Sequence, residues 1–170
     1  MSARRQRRYC GPLLASALGA TGLVAGCGSA ASGHSHARFV SAVEHVCARA
    51  VGRHDGHAFP VAGFDPEHPD PSQLPRVGEY FARNGGLPQT TRGLHTLTPP
   101  HADAASWRTM LAIADQINDN AQHQIAAARS RDVTGFVRTT RTSNGLTTLI
   151  NSSGRRFGFT RGSSCDRVYG

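Results

Sequence analysis

Nine histidines are the richest supply of reactive side chains in this 170-residue chain. His34-Ser35-His36 sets two imidazoles two positions apart, and His54-Asp55-Gly56-His57 sets two more three apart. Neutral imidazole is a ligand for zinc, copper or nickel, so either pair supplies two ligands. His45, Glu44 and His68 are the candidates for a third and a fourth. Against a dedicated site, no His-Glu-x-x-His motif occurs and no helix-like stretch carries histidines at i, i+4. Imidazoles in polar loops are ordinarily solvated. The expectation is therefore no resident metal and no cofactor, with metal binding through the loop histidines as the alternative reading.

Hydrolytic chemistry has less to build on. Ser163 and Ser164 sit in no Gly-x-Ser-x-Gly elbow, and Ser-x-x-Lys is excluded because the chain has no lysine. The same absence removes the phosphate-binding loop that ends in Lys. Glu44, Glu67 and Glu79 are the only glutamates, and nothing in their spacing marks an acid–base pair. The chain reads as a non-enzyme.

The cysteines say more about place than about catalysis. Arg4, Arg5, Arg7 and Arg8 precede an uncharged stretch, Gly11 to Gly26, rich in Ala, Leu and Gly. As a helix it would rise about 24 Å, short of the roughly 30 Å hydrocarbon core of a bilayer. Residues 1–26 are thus expected to be an export signal and not a permanent span. The run Leu23-Val24-Ala25-Gly26-Cys27 looks like a bacterial lipobox, in which the cysteine becomes the lipidated first residue. Cys27 is the expected lipidation site, and the membrane, reached through that lipid, the expected partner. Gly28-Ser29-Ala30-Ala31-Ser32-Gly33 then suits a flexible tether over 27–37.

Cleavage before Cys27 would take four arginines with the signal and lower the net charge from +8 to +4. Half of the basicity belongs to the address, and an exported protein seldom meets nucleic acid, so no nucleic-acid partner is expected. Cys10 leaves with the signal. Cys47 and Cys165 remain, and in an oxidising envelope they are expected to form one disulfide, two free buried thiols being the alternative. No Cys-x-x-Cys occurs, so neither redox exchange nor haem attachment is indicated.

Four stretches have the period of an amphipathic helix. Phe39, Val43, Val46, Cys47 and Ala50 mark the first, over about 38–50. The second lies within 72–97, with Asp70-Pro71 as its start, Leu74, Val77, Tyr80 and Phe81 on one face, and a kink or short loop near 84–88 at Gly85-Gly86 and Pro88. The third follows Thr98-Pro99-Pro100 and carries Trp107, Met110, Leu111, Ala114, Ile117, Ala121, Ile125 and Ala128. The fourth runs from Asp132, a candidate cap, through Val133, Phe136, Val137, Thr140, Leu146, Leu149 and Ile150 to Gly154 as a stop. No strand pattern competes. Leu, Ile, Val and Phe make up only about 19% of the chain, near the composition at which chains of high net charge stay unfolded. The expected fold is all-α: a four-helix up-and-down bundle over 38–170, its second helix kinked, tied by one disulfide. The 51–71 segment, with His54, His57 and His68, is a long loop of the functional or mobile kind.

The residues Val46-Cys47-Ala48-Arg49-Ala50, Leu94-His95-Thr96-Leu97-Thr98-Pro99-Pro100 before a Trp-bearing helix, Ala126-Ala127-Ala128-Arg129-Ser130-Arg131-Asp132 with Phe136, and a cysteine close to the C-terminus resemble the small secreted helical lipoproteins of high-GC actinobacteria. The resemblance covers roughly 38–166. It implies a disulfide-tied bundle at the cell surface and carries over no catalytic residue. The run Arg155-Arg156-Phe157-Gly158-Phe159-Thr160-Arg161, with Arg167, is expected to pack its phenylalanines on the bundle and leave its arginines in water. Contact of those arginines with anionic lipid or a wall polyanion is the alternative reading. The functional expectation is a non-catalytic binding or scaffolding domain on the extracytoplasmic face of the cell membrane, with an envelope protein or polyanion as further partner.

Overall fold

A computed structural model describes residues 28–54, 59–84 and 87–169, with side chains from 35–51, 59–83 and 87–169. The signal stretch 1–26 and Cys27 lie outside the described residues. Among the described residues six α-helices follow one another: α1 Gly28–His54, α2 Leu74–Asn84, α3 Leu87–His95, α4 Ala104–Arg129, α5 Val133–Phe157 and α6 Ser164–Tyr169. A single 3-10 turn, His101–Asp103, leads into α4. No strand occurs among the described residues. The all-α, disulfide-tied fold is thus present. The second helix is broken into α2 and α3, and a short α6 is added at the end.

The α4–α5 hairpin is the spine. Its turn is closed by local hydrogen bonds: the Ser130 and Arg131 amides donate to the Ala126 and Ala128 carbonyls, and the Asp132 amide donates to Ala127 O. Asp132 Oδ1 then accepts the Gly135 amide at 2.9 Å, capping α5 as its position before an apolar run predicts. Arg131 makes the turn at φ +59°, a left-handed conformation that a side chain resists.

Two apolar cores lie along this spine. At the turn end, Leu74 and Val77 of α2 pack on Ala127, Ala128 and Phe136, with Phe64 and Phe81 against them. Gly78 permits the close approach: a Cβ there would lie 3.0 Å from Ala128 Cβ. At the other end, Phe39, Val43, Val46 and Cys47 of α1 meet Leu94 of α3, Trp107 and Met110 of α4, Ile150 and Phe157 of α5, and Cys165 and Tyr169 of α6. Between the two, Asn120 Nδ2 donates to Thr139 O and Ser143 Oγ at 2.9 and 2.8 Å, and Gln124 Nε2 donates to Thr140 Oγ1 at 2.9 Å. This polar layer ties the register of α4 to α5 where neither core reaches.

Several boundaries differ from expectation for identifiable reasons. The stretch 27–37, expected as a flexible tether, is helical from Gly28 as the start of α1. His36 supplies a tertiary contact within it: Nδ1 lies 2.8 Å from Asp103 Oδ2, and the ring lies on Phe157 at 5.2 Å. Asp70 does not cap α2 directly. It accepts the Ser72 amide at 2.8 Å in a turn, and the α-helix begins at Leu74. Gly154 does not stop α5. It is buried inside the helix, leaving room for Phe159 to fold back, and Gly158 at φ +110° ends the helix instead. The loop after α1 is packed in its second half, where Phe59 contacts Phe64 and Tyr80 at 5.5 and 5.1 Å.

Candidate functional site

The disulfide is formed. Cys47 on α1 and Cys165 on α6 are joined across 118 positions with their Cα atoms 5.0 Å apart, inside the range that such a bridge spans. Both are buried. Glu44, three residues before Cys47 and one turn earlier on α1, accepts the Ser164 amide on Oε2 at 2.8 Å and so holds the first turn of α6. Glu44 is therefore a fastener for the C-terminal helix and does not join the histidines.

The histidines are dispersed. His36 pairs with Asp103, His68 with Asp65 at 3.1 Å, and His95 Nε2 with Asp115 Oδ1 at 2.9 Å. His45 is exposed on α1. The His57 position and the side chains of His34 and His54 lie outside the described residues. Among the described residues, no group of three or more His, Cys, Asp or Glu is placed to hold a metal ion. Ser163 Oγ accepts the Asp166 amide at 3.3 Å, a local contact at the start of α6, and no histidine meets it among the described residues.

The feature with the shape of a binding site is an apolar cleft beside the disulfide. Val43, Leu94, Met110, Leu111, Ala114 and Ile150 form its walls, and Trp107, Phe159 and Tyr169 line it. Asn151, Arg155, Thr160 and Asp166 supply its polar lining. The cleft is half-open, and the room left inside it is small, about 30 Å³. Trp107 is 2% exposed, held edge-on against Phe39 at 5.0 Å and tilted on Phe157 at 5.8 Å. Its indole N–H is buried without a hydrogen-bond partner. That is unusual, since buried tryptophans ordinarily find an acceptor.

Tyr169 closes another side. Its hydroxyl lies 3.2 Å from Thr91 Oγ1, and burial pushes the phenol up to about 12, helped by the Asp115 charge and opposed by the Thr91 contact. Phe157 and Phe159 are buried, while Arg155, Arg156, Arg161 and Arg167 are exposed, as the interleaved C-terminal run predicts.

A comparison with protein-family models, curated proteins and solved structures found no match. The chain's own residues carry the functional argument. Sequence reasoning singled out Trp107, Cys47 and Cys165 and used Leu94 only in the motif before the Trp-bearing helix, but it assigned no role to Asn151 or Tyr169. Those residues come from different helices and share no spacing. The one available signal was a lone tryptophan on the same apolar face as a helix expected to pack beside the disulfide.

Proposed function

We propose that this chain is an envelope protein, exported by its N-terminal signal and anchored by lipid on Cys27. Its helical domain acts on the extracytoplasmic face as a non-catalytic binding module. The observation that carries this reading is the Cys47–Cys165 disulfide, buried in the core between the first and last helices. Persistent disulfides belong to oxidising compartments. The lipobox-like Leu23-Val24-Ala25-Gly26-Cys27 and the resemblance to small actinobacterial lipoproteins support the same address. Binding is favoured over catalysis by the cleft itself. Its lining holds no histidine, its one cysteine is committed to the disulfide, and its walls are apolar, the character of a site that holds a ligand. The exposed C-terminal arginines suit an anionic surface or polymer beside the membrane.

Intact mass of the protein taken from membranes of its native host tests the reading. The expected species begins at Cys27, carries diacylglycerol, and shows two thiols that alkylate only after reduction. A mature chain without lipid would overturn the anchor. Two thiols reactive before reduction would overturn the oxidised address.

A further inference from the structure

We infer that the end of the bundle from which α1 leads back to Cys27 binds an anionic phospholipid leaflet, through Arg38, Arg108, Arg155, Arg156 and Arg161. This deepens the envelope reading above and rests on it for bringing that leaflet beside the domain.

Contacts define this end. His36 on α1 lies 2.8 Å from Asp103, just before α4, and its ring is tilted on Phe157 at the close of α5. Gly158 passes against the same stretch of α1, where a Cβ would lie 3.5 Å from His36 Nε2. Phe159 packs on Phe157 at 5.8 Å, and the chain returns to α1 at Ser164, whose amide donates to Glu44. The early part of α1, the first turn of α4, the last turn of α5 and the loop after it therefore share one end. The α4–α5 turn lies at the other.

The two ends differ in charge. Positions 35–40, 101–108 and 154–163 carry five arginines against one acid, Asp103. All five arginines are exposed, and none makes an ion pair among the described residues. Asp103 is already engaged by His36, and the nearby Asp166 and Glu44 accept the Gly162 and Ser164 amides. At the turn end, positions 61–83 and 127–141 carry six arginines against five acids. Two of those arginines are paired there, Arg129 with Glu79 and Arg141 with Glu67, each at 2.9 Å. An excess of unpaired cations at one end turns that end toward an anionic surface.

The course of α1 favours a lipid surface over a polymer. The helix begins at Gly28, the residue after Cys27, and is continuous through His36. Those eight steps rise about 12 Å. A headgroup layer of about 5–7 Å on each side of the hydrocarbon, with a Debye length of about 8 Å, covers that height. Lipid on Cys27 thus sets the arginines within reach of lipid phosphates, whereas the turn end stands farther off by the length of α4, 26 residues or about 39 Å. A polymer gains nothing from that placement.

Vesicle co-sedimentation tests the inference on the oxidised mature chain from position 27 carrying Cys27→Ala, to which neither the signal's arginines nor a lipid contributes. It is expected to partition into phosphatidylglycerol vesicles and not into phosphatidylcholine, and to be released by salt. Arg155→Gln/Arg156→Gln/Arg161→Gln is expected to lower that partition about 100-fold, about fivefold per arginine, with the melting temperature unchanged. Lysine at the same three positions is expected to restore it. The charge-matched Arg76→Gln/Arg131→Gln/Arg138→Gln, at the turn end, is expected to lower it by less than about fivefold. In vesicles holding the lipidated native protein, energy transfer to a dansyl headgroup from Trp107, the only tryptophan, reads the orientation. Transfer is expected to rise when phosphatidylglycerol replaces phosphatidylcholine, and the first triple variant is expected to lose that rise. Equal partition into the two lipids, equal effects of the two glutamine triples, no binding by the lysine variant, or unchanged transfer would overturn the inference. So would polyphosphate retaining the mature chain where phosphatidylglycerol vesicles do not, which would assign the arginines to a polymer. Vesicle binding as expected by a protein that proves to lack lipid on Cys27 would leave this inference standing while removing the anchor. Lipid on Cys27 with equal partition would overturn this inference alone.

Discussion

Replacing Cys47 and Cys165 together by alanine is expected to remove a large share of the domain's stability. The bridge closes a span of 118 positions. For loops of this size the chain-entropy expression gives about 5 kcal/mol at 25 °C. Residual structure in the unfolded chain lowers the figure, so a loss of about 3–5 kcal/mol is the working value. Domains of this class have only about 5–15 kcal/mol in total. Urea titration followed by Trp107 fluorescence and far-UV circular dichroism gives the free energy, and thermal melts should fall by on the order of 10–15 °C. The denaturant slope should rise, because the unbridged chain exposes more surface when unfolded. The unsubstituted protein in excess reductant should match the double variant to within about 1 kcal/mol. A loss below about 1 kcal/mol by either route would refute the reasoning. It would mean that Glu44, Tyr169 and the surrounding core fix α6 on α1 without help from the covalent link.

Alkaline stability should be controlled by Tyr169, whose phenol stands at about 12 in the fold against about 10 when unfolded. Its contribution is complete below pH 10 and is lost as pH rises through 12, because the unfolded chain releases its proton first. The loss is about 2–3 kcal/mol, and melting temperatures from pH 9 to 11.5 should fall less steeply in Tyr169→Phe. With no lysine in the chain, few other groups titrate in that window. Asp132→Ala removes the cap on Gly135 and should cost about 1 kcal/mol in urea titration. Arg131→Gly relieves the left-handed turn residue at φ +59° and should stabilise by about 0.5–1 kcal/mol by the same assay. A destabilised Arg131→Gly would show that the side chain holds a contact worth more than the backbone strain.

Periodicity along the chain was a good guide wherever one face of a helix meets the core. Phe39, Val43, Val46, Cys47 and Ala50 repeat at three and four, and all five are buried. Trp107, Met110, Ala114, Ile125 and Ala128 do the same on α4. The pattern misled where apolar spacing exceeded the available partners. Leu149 fits the α5 stripe, yet it is 53% exposed because Ile150, one position on, takes the place facing the core. Glycines were ambiguous for a related reason. Gly154 reads as the helix stop, but the helix runs on to Gly158, and the difference rests on Phe159 folding back over Gly154. Thr139 and Thr140, in a threonine-rich part of α5 with poor intrinsic helicity, are held against α4 by the hydrogen bonds from Asn120 and Gln124.

The amino-acid sequence by itself determined the class and the staple. An all-helical pattern, an Asp132 cap and two cysteines left for one bridge are local or arithmetic facts, readable without knowing what touches what. Tertiary structure alone decided the site. The cleft draws Val43 from α1, Leu94 from α3, Trp107 from α4, Ile150 and Arg155 from α5, and Tyr169 from α6. Its orphaned indole N–H exists only because those helices exclude both water and any protein acceptor from that point. Helical periodicity reports the face a residue turns to the core. It does not report which residue from another helix arrives opposite, and binding depends on that.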